Sequence, residues 1–160
     1  MSIAVIVVLV ITLSPSGHYR PFATEVATAR SLFNALSNYA SDHEGRFPET
    51  ADGEFLDECI RLGYLTESDW TSCTLKGAPP GSTGFLYIKG QSQTARGSNL
   101  IAISEQPIID PKGVPHYVTL TIAGKAEALK YDELVPILAQ TIWRKAERDM
   151  KTQKADQSQQ

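Results

Sequence analysis

The sequence contains few of the residues from which metal and catalytic sites are built. Its 160 residues include two cysteines and three histidines, and they lack the paired spacing that zinc sites favour. The chain also has no G-x-S-x-G motif, no phosphate-binding loop and no H-E-x-x-H motif. We therefore assign no residue a catalytic role, predict no metal or cofactor, and expect a protein that is not an enzyme.

An excess of basic residues is missing as well. The chain has 15 lysines and arginines against 18 aspartates and glutamates, with a net charge of -3. Nucleic-acid-binding proteins neutralise phosphates with clustered Lys and Arg, so we expect no nucleic-acid partner. The hydrophobic fraction of 42% is ordinary for a folded domain, and the length fits one domain with short appendages.

One strongly apolar stretch begins the chain, and it is shorter than a full membrane span. Ile3–Leu13 has eleven uncharged residues, whereas a spanning helix needs about 20. We favour a membrane anchor over residues 1–14. A cleaved signal peptide, with a mature terminus between Ser16 and Pro21, and a buried core strand remain open alternatives. The predicted anchor residues are Ile3, Val5, Ile6, Val7, Val8, Leu9, Val10, Ile11 and Leu13.

A long amphipathic helix is predicted directly after this stretch. Pro21 suits its first turn, whereas Gly45 and Pro48 end it. Apolar residues recur at steps of three and four, which keeps one face of an α-helix continuous. We expect this face, the core stripe, to pack on a sheet formed by later residues. The core stripe consists of Phe22, Val26, Ala29, Phe33, Leu36 and Ala40.

The middle of the chain predicts a short helix followed by strands. Apolar residues in 54–63 have helical spacing, and Gly63 is a suitable cap for that helix. Four later segments have strand patterns, while 106–114 contains two prolines and a glycine and is predicted to be a loop. The resulting fold class is α+β, with a small antiparallel sheet of three or four strands. The strand segments are 84–88, 99–104, 116–122 and 126–130.

The end of the chain predicts a second long helix over Asp132–Met150. Leu134, Leu138, Ile142 and Ala146 follow one another at steps of four, with two more apolar residues, Ile137 and Trp143, alongside. Residues 151–160 are polar and are predicted to be a disordered tail. Residues 21–150 are predicted to be a single domain.

The sequence leaves open whether its two cysteines form a disulfide. Cys59 and Cys73 lie fourteen positions apart. In an oxidising compartment the two could form a disulfide, worth about 3 kcal/mol by the loop-entropy argument. Otherwise Cys59 is a small core residue of the short helix.

Residues 29–48, ARSLFNALSNYASDHEGRFP, resemble a segment of the pseudopilins. The match is to the pattern AR…L..AL..YA.DH.GRFP of proteins similar to the major type II secretion subunit, and to prepilin-type proteins that end in an H-X9-DG motif. Residues 118–129, VTLTIAGKAEAL, resemble the terminal hairpin of the same family more weakly. The chain departs from the family in having no acidic residue before Glu25 and Ala123 where the hairpin usually has aspartate.

This resemblance implies a type IV pilin-like fold and a non-catalytic role in assembly. It implies a single-pass protein of the bacterial inner membrane, with its head on the periplasmic side. The partners implied are the membrane, through the N-terminal segment, and other pseudopilins or envelope proteins. The competing expectation is a secreted or periplasmic binding module, or a small enzyme, whose residues 1–14 are removed as a signal peptide.

Overall fold

The computed structural model describes residues 22–157, without the side chains of residue 152 and residues 154–157. It confirms an α+β fold with a long N-terminal helix and a small antiparallel sheet. The helices are α1 (Ala23–Asp42), α2 (Gly53–Arg61), α3 (Asp69–Ser72) and α4 (Tyr131–Gln157). The strands are β1 (Phe85–Tyr87), β2 (Leu100–Ser104), β3 (Ile108–Ile109), β4 (Pro115–Thr121) and β5 (Ala126–Lys130).

Strand β4 is the centre of the sheet. It pairs antiparallel with β2, β3 and β5, while β1 extends the sheet beyond β2. His116 is paired with Ile108 on one neighbour and with Lys130 on the other, so β3 and β5 lie along opposite edges of β4. The sequence predicted three or four strands, and the additional one is β3. Its two residues lie between Pro107 and Pro111 in the predicted loop, and prolines limit the length of such pairing.

Helices cover both faces of this sheet. On one face, α1 contacts β4 and β5, and its Leu32 and Leu36 share a buried cluster with Val118 and Leu120. On the other face, α4 contacts β2, β4 and β5, where Leu134 joins a second, smaller cluster. Because side chains alternate along a strand, one strand supplies both clusters.

Strand β2 is covered on both faces of the sheet. It consists of a continuous, mostly apolar run that contains one bulge. Leu100 is paired with Thr121 and Ala102 with Leu120, which leaves Ile101 as one extra residue in β2. All five residues of β2 are buried. A strand covered on both sides reads as continuously apolar, which explains the sequence LIAIS.

The buried side of α1 is centred slightly away from the predicted core stripe. Ala29, Leu36 and Ala40 are fully buried as predicted, together with Leu32 and Ala35. The predicted stripe residues Val26 and Phe33 are only half-buried and pack against the edge of the same cluster. The alanines have small side chains, so the helix axis can lie close to the sheet.

Phe22 is a correction to that prediction, because it lies outside the helix. Its φ of 72° is left-handed, and it precedes the first helical residue. The centroid of the Phe22 ring lies 4.8 Å from that of His116, near the beginning of the central strand β4. Its carbonyl still accepts a hydrogen bond from the Val26 N–H at 2.9 Å.

The turn between β4 and β5 lies directly beneath α1. Gly124 has a φ of 77°, a conformation that favours glycine. A Cβ atom at this position would lie 2.7 Å from Cε1 of Phe33, so a larger residue would require the Phe33 ring to move. The backbone conformation and the position of this ring both favour glycine at the tip of the hairpin.

The ends of the other long elements follow from capping and ion pairs. Helix α2 begins after Asp52, whose carboxylate accepts a hydrogen bond from the Phe55 N–H at 3.2 Å. Helix α4 continues to Gln157, into the segment from residue 151 for which the sequence predicts a disordered tail. Ion pairs one turn apart support this extension: Lys145 with Asp149, and Lys151 with Glu147.

We predict that Leu36→Ala lowers the free energy of unfolding by about 2–5 kcal/mol, the cost of truncating a fully buried leucine. Urea denaturation followed by circular dichroism measures the change. Asn34→Ala, at an exposed position of the same helix, is the matched control and should change stability by less than about 0.5 kcal/mol. Equal effects of the two substitutions would contradict the packing of α1 on the sheet.

Candidate association surface

The segment that resembles the pseudopilins forms the exit of α1. Gly45, with a φ of 76°, donates its N–H to the Ala40 carbonyl at 2.8 Å and ends the helix. The ring of His43 stacks on Tyr39 with 3.7 Å between centroids, and its Nδ1 lies 2.7 Å from the Tyr39 carbonyl. Residue Glu44 is also left-handed, with a φ of 55°. The chain therefore reverses within a few residues of the helix end.

The residues after this reversal are fixed to the sheet and to the loop that follows β1. Arg46 forms an isolated backbone bridge with Ser92, and Phe47 is buried in the main core. The hydroxyl of Tyr87 on β1 donates to the Pro48 carbonyl at 2.8 Å. Burial raises the pKa of Tyr87 above its ordinary value, so this donor stays protonated. The end of α1 is thus held in a defined position relative to the sheet.

A contact between the last residue of α1 and the loop after α2 also holds the end of α1 in place. The Tyr64 hydroxyl donates a hydrogen bond to the Asp42 carboxylate at the last position of α1. This hydrogen bond is the main reason that the pKa of Tyr64 is raised to about 12. The contact should persist at neutral pH, where the tyrosine is protonated.

The two cysteines are free thiols that lie in the main core. Cys59 on α2 and Cys73 after α3 are both fully buried, and the structure contains no disulfide between them. Burial, followed by the nearby Cys73, raises the pKa of Cys59 to about 12, and burial also raises the pKa of Cys73. Because the thiolate is the reactive form, neither residue is suited to act as a nucleophile at neutral pH.

The acidic residues near the exit of α1 act as local structural groups. Asp52 caps α2, and Asp69 accepts hydrogen bonds from the backbone and hydroxyl of Thr66, which lower its pKa. In the part of the chain that the structure describes, no group of three or more His, Cys, Asp or Glu side chains could hold a metal ion. A groove of about 360 Å³ lies between the start of α1 and β3, lined by residues that include Glu25 and Ile108.

The outer surface of α4 is the feature that sequence reasoning missed. Leu134 is buried, and Ile137 and Leu138 are half-buried as members of the second cluster. Further along α4, the apolar residues Ile142, Trp143 and Ala146 are exposed. The second half of α4 is held against β2 and the loop before it by polar contacts instead. The spacing of apolar residues along a sequence cannot reveal such contacts.

Those polar contacts join the second half of α4 to β2 and the loop before it. Thr141 is buried and accepts a hydrogen bond from the Leu100 N–H at 3.1 Å. Arg144 donates to Oδ1 of the buried Asn99 at 3.1 Å. Because these groups occupy the inner side of the helix, the apolar residues beside them point away from the sheet.

The predicted membrane anchor, Ile3–Leu13, lies outside the described residues. Between residues 22 and 157, no helix combines the length and apolarity that crossing a bilayer requires. Comparison with family models, curated proteins and solved structures finds no match to the chain. Kinship with the pseudopilins therefore stays a prediction that rests on the segments quoted above.

We predict that neither cysteine reacts with a thiol reagent in the native protein, because both thiols are buried and protonated. Mass spectrometry after iodoacetamide treatment at pH 8 should show no modification. After unfolding in guanidinium without reductant, the same treatment should add two carbamidomethyl groups. An unfolded, unreduced protein that resists modification would show a disulfide and contradict the free thiols.

We predict that Tyr64 titrates about two pH units above an ordinary tyrosine, at about 12 against 10.0. Because the folded-state pKa is raised, any stabilisation from this contact is complete below pH 10 and is lost as the pH rises toward 12. Nuclear magnetic resonance of ring-labelled tyrosines measures the titration, with Asp42→Ala as the test variant. A Tyr64 pKa unchanged by Asp42→Ala would contradict the hydrogen bond as its cause.

Proposed function

We propose that the protein is a membrane-anchored, pseudopilin-like structural protein of the bacterial cell envelope, related to type II secretion or type IV pili. Residues 1–14 anchor it in the inner membrane as a single-pass protein, and the folded head lies on the periplasmic side. Its work is association with other envelope proteins, and no residue has a catalytic role in this proposal.

The observation that carries the proposal is the arrangement of α1. This 20-residue helix begins at Ala23, nine residues after the proposed anchor segment ends, and packs its inner side on β4 and β5. A helix of 20 residues is about 30 Å long. In this proposal α1 is the element that connects the anchor segment to the sheet, as the pseudopilin resemblance implies.

The exit of α1 gives further support. The residues of the resemblance, from Gly45 to Pro48, form a reversal that is hydrogen-bonded to Ala40 on the helix and to Tyr87 on β1. A glycine in left-handed conformation followed by buried Phe47 explains physically why this sequence pattern suits a helix that leads into a sheet. The pattern therefore has a structural reason in this chain.

Membrane association tests the proposal directly. We predict that the full chain expressed in a Gram-negative host stays in the membrane pellet after carbonate extraction. The double variant Val7→Lys/Leu9→Lys should move at least tenfold more protein into the soluble fraction, because each lysine in the centre of an apolar segment costs about 3 kcal/mol. Leu86→Lys, at an exposed strand position of the head, is the control and should stay in the pellet.

N-terminal sequencing of the extracted protein separates the two open possibilities. A retained segment 1–14 in the pellet supports the anchor. A mature terminus between Ser16 and Pro21, with the protein in the soluble periplasmic fraction, would contradict it and favour a secreted protein whose signal peptide has been removed.

A further inference from the structure

The groove of about 360 Å³ lies where the described chain begins. Its walls are the first turn of α1, the loop of residues 75–84 and the segment 105–109, which includes β3. The ring of Phe22, just before α1, lies against His116, and His116 is paired with Ile108 in the groove wall. The chain that precedes Phe22 therefore leaves the fold beside this groove. The apolar part of the groove lining consists of Leu75, Ala78, Pro79, Pro107, Ile108 and Ile109.

Hydrogen bonds hold the walls of the groove in place. The Leu75 N–H donates to the Thr83 carbonyl at 2.9 Å, and the Ala78 N–H donates to the Leu75 carbonyl at 3.0 Å. The Glu105 N–H donates to the Gly84 carbonyl at 2.9 Å, which joins the loop to the segment that contains β3. Because the walls are already ordered, a segment that enters the groove loses only its own conformational freedom.

The outer edge of β3 has a backbone donor and acceptor that β4 does not use. The Asp110 N–H donates to the Val114 carbonyl, and hydrogen-bonded pairs of an antiparallel ladder fall on every second residue, here Asp110 and Ile108. Ile109 lies between them, opposite Pro115, which has no N–H to donate. The N–H and C=O of Ile109 therefore point away from β4. Ile109 also lines the groove, so an extended segment beside β3 can pair with it.

The groove has an excess of negative charge. Its charged side chains are Glu25, Glu105 and the exposed Lys76, which gives two acids against one base. Glu25 and Glu105 are half-buried, and neither belongs to an ion pair within residues 22–157. Partial burial strengthens the attraction between a carboxylate and a cation that approaches it. The groove therefore favours a basic occupant.

The segment that precedes Phe22 has the matching chemistry. Residues 15–21, PSGHYRP, include one histidine and one arginine, and the chain has no acidic residue before Glu25. Tyr19 and the two prolines supply apolar groups for the apolar lining. Proline and the residue before it favour extended backbone, which suits a segment beside a strand. Seven extended residues reach about 24 Å, which is long enough to cross the groove.

We propose that residues 15–21 lie as an extended segment in this groove, beside β3, with the basic residues His18 and Arg20 next to Glu25 and Glu105. This contact fixes the direction in which residues 1–14 leave the folded head. The contact requires that residues 15–21 are retained in the mature protein. It does not require that residues 1–14 enter a membrane, so it can be tested separately from the proposed anchor.

Cross-linking within one chain tests the position of the segment. Ser16→Cys is combined with Gln106→Cys in the groove lining, and the full-length protein is treated with a short bismaleimide. The control pairs Ser16→Cys with Ser41→Cys, an exposed position about 27 Å along α1 from its first residue. The two native cysteines are buried and should not react. Peptide mass spectrometry should find at least fivefold more intrachain cross-link to residue 106 than to residue 41.

Reversal of the groove charge provides the second measurement. Glu25→Lys/Glu105→Lys, added to the chain with cysteines at 16 and 106, should reduce the cross-link at least fivefold, because it repels the basic segment. Glu54→Lys/Glu67→Lys, at two exposed acidic positions outside the groove, is the matched control and should leave the cross-link unchanged. Circular dichroism checks that both variants are folded. Equal yields from the two variants would overturn the proposal.

Three further results would overturn it. Equal cross-linking to residues 106 and 41 would show that a retained segment is not held in the groove, and it would leave the membrane anchor untouched. A cross-link from 16 to 106 that joins two differently tagged chains would show that the groove takes the segment of a second copy. Loss of residue 16 from the mature protein, seen by N-terminal sequencing, would overturn this proposal and the anchor together.

Discussion

The packing of α1 against the β4–β5 hairpin is the contact on which the rest of the structure depends. Leu32 and Leu36 lie in one cluster with Val118 and Leu120, and no atom of this cluster reaches solvent at those four positions. Burying a leucine side chain contributes about 1.5–3 kcal/mol, so a few such residues outweigh the exposed ion pairs of the described residues. The ring of Phe33 on α1 also lies against Gly124 at the tip of the hairpin.

Helix α1 covers one face of the sheet and α4 covers the other. The inner sides of the two helices contact the sheet through different kinds of side chain. The inner side of α1 is apolar along nearly its whole length. The inner side of α4 is apolar only in its first half, around Leu134, and polar in its second half, where Thr141 and Arg144 bind β2 and Asn99. The remaining apolar residues of α4 therefore point outward.

The sequence predicted the fold class, both long helices and all of the long strands, because each carries a strong periodic signal. Strand β5 was predicted with the bounds that the structure has, since Gly124 marks the turn before it. Strand β3 was missed because two residues carry no period. The inner polar contacts of α4 were not predicted, since Thr141 and Arg144 have polar side chains whose inward direction depends on partners distant in sequence.

Native-state hydrogen exchange measures most directly whether α1 and the sheet form one cooperative unit. The slowest-exchanging amides should include those of Leu32 and Leu36 on α1 and of Val118 and Leu120 on β4, with a common free energy of opening. Amides of α1 that exchange many times faster than those of β4, at rates close to exposed loops, would show that the helix is not held by the sheet and would contradict the central contact.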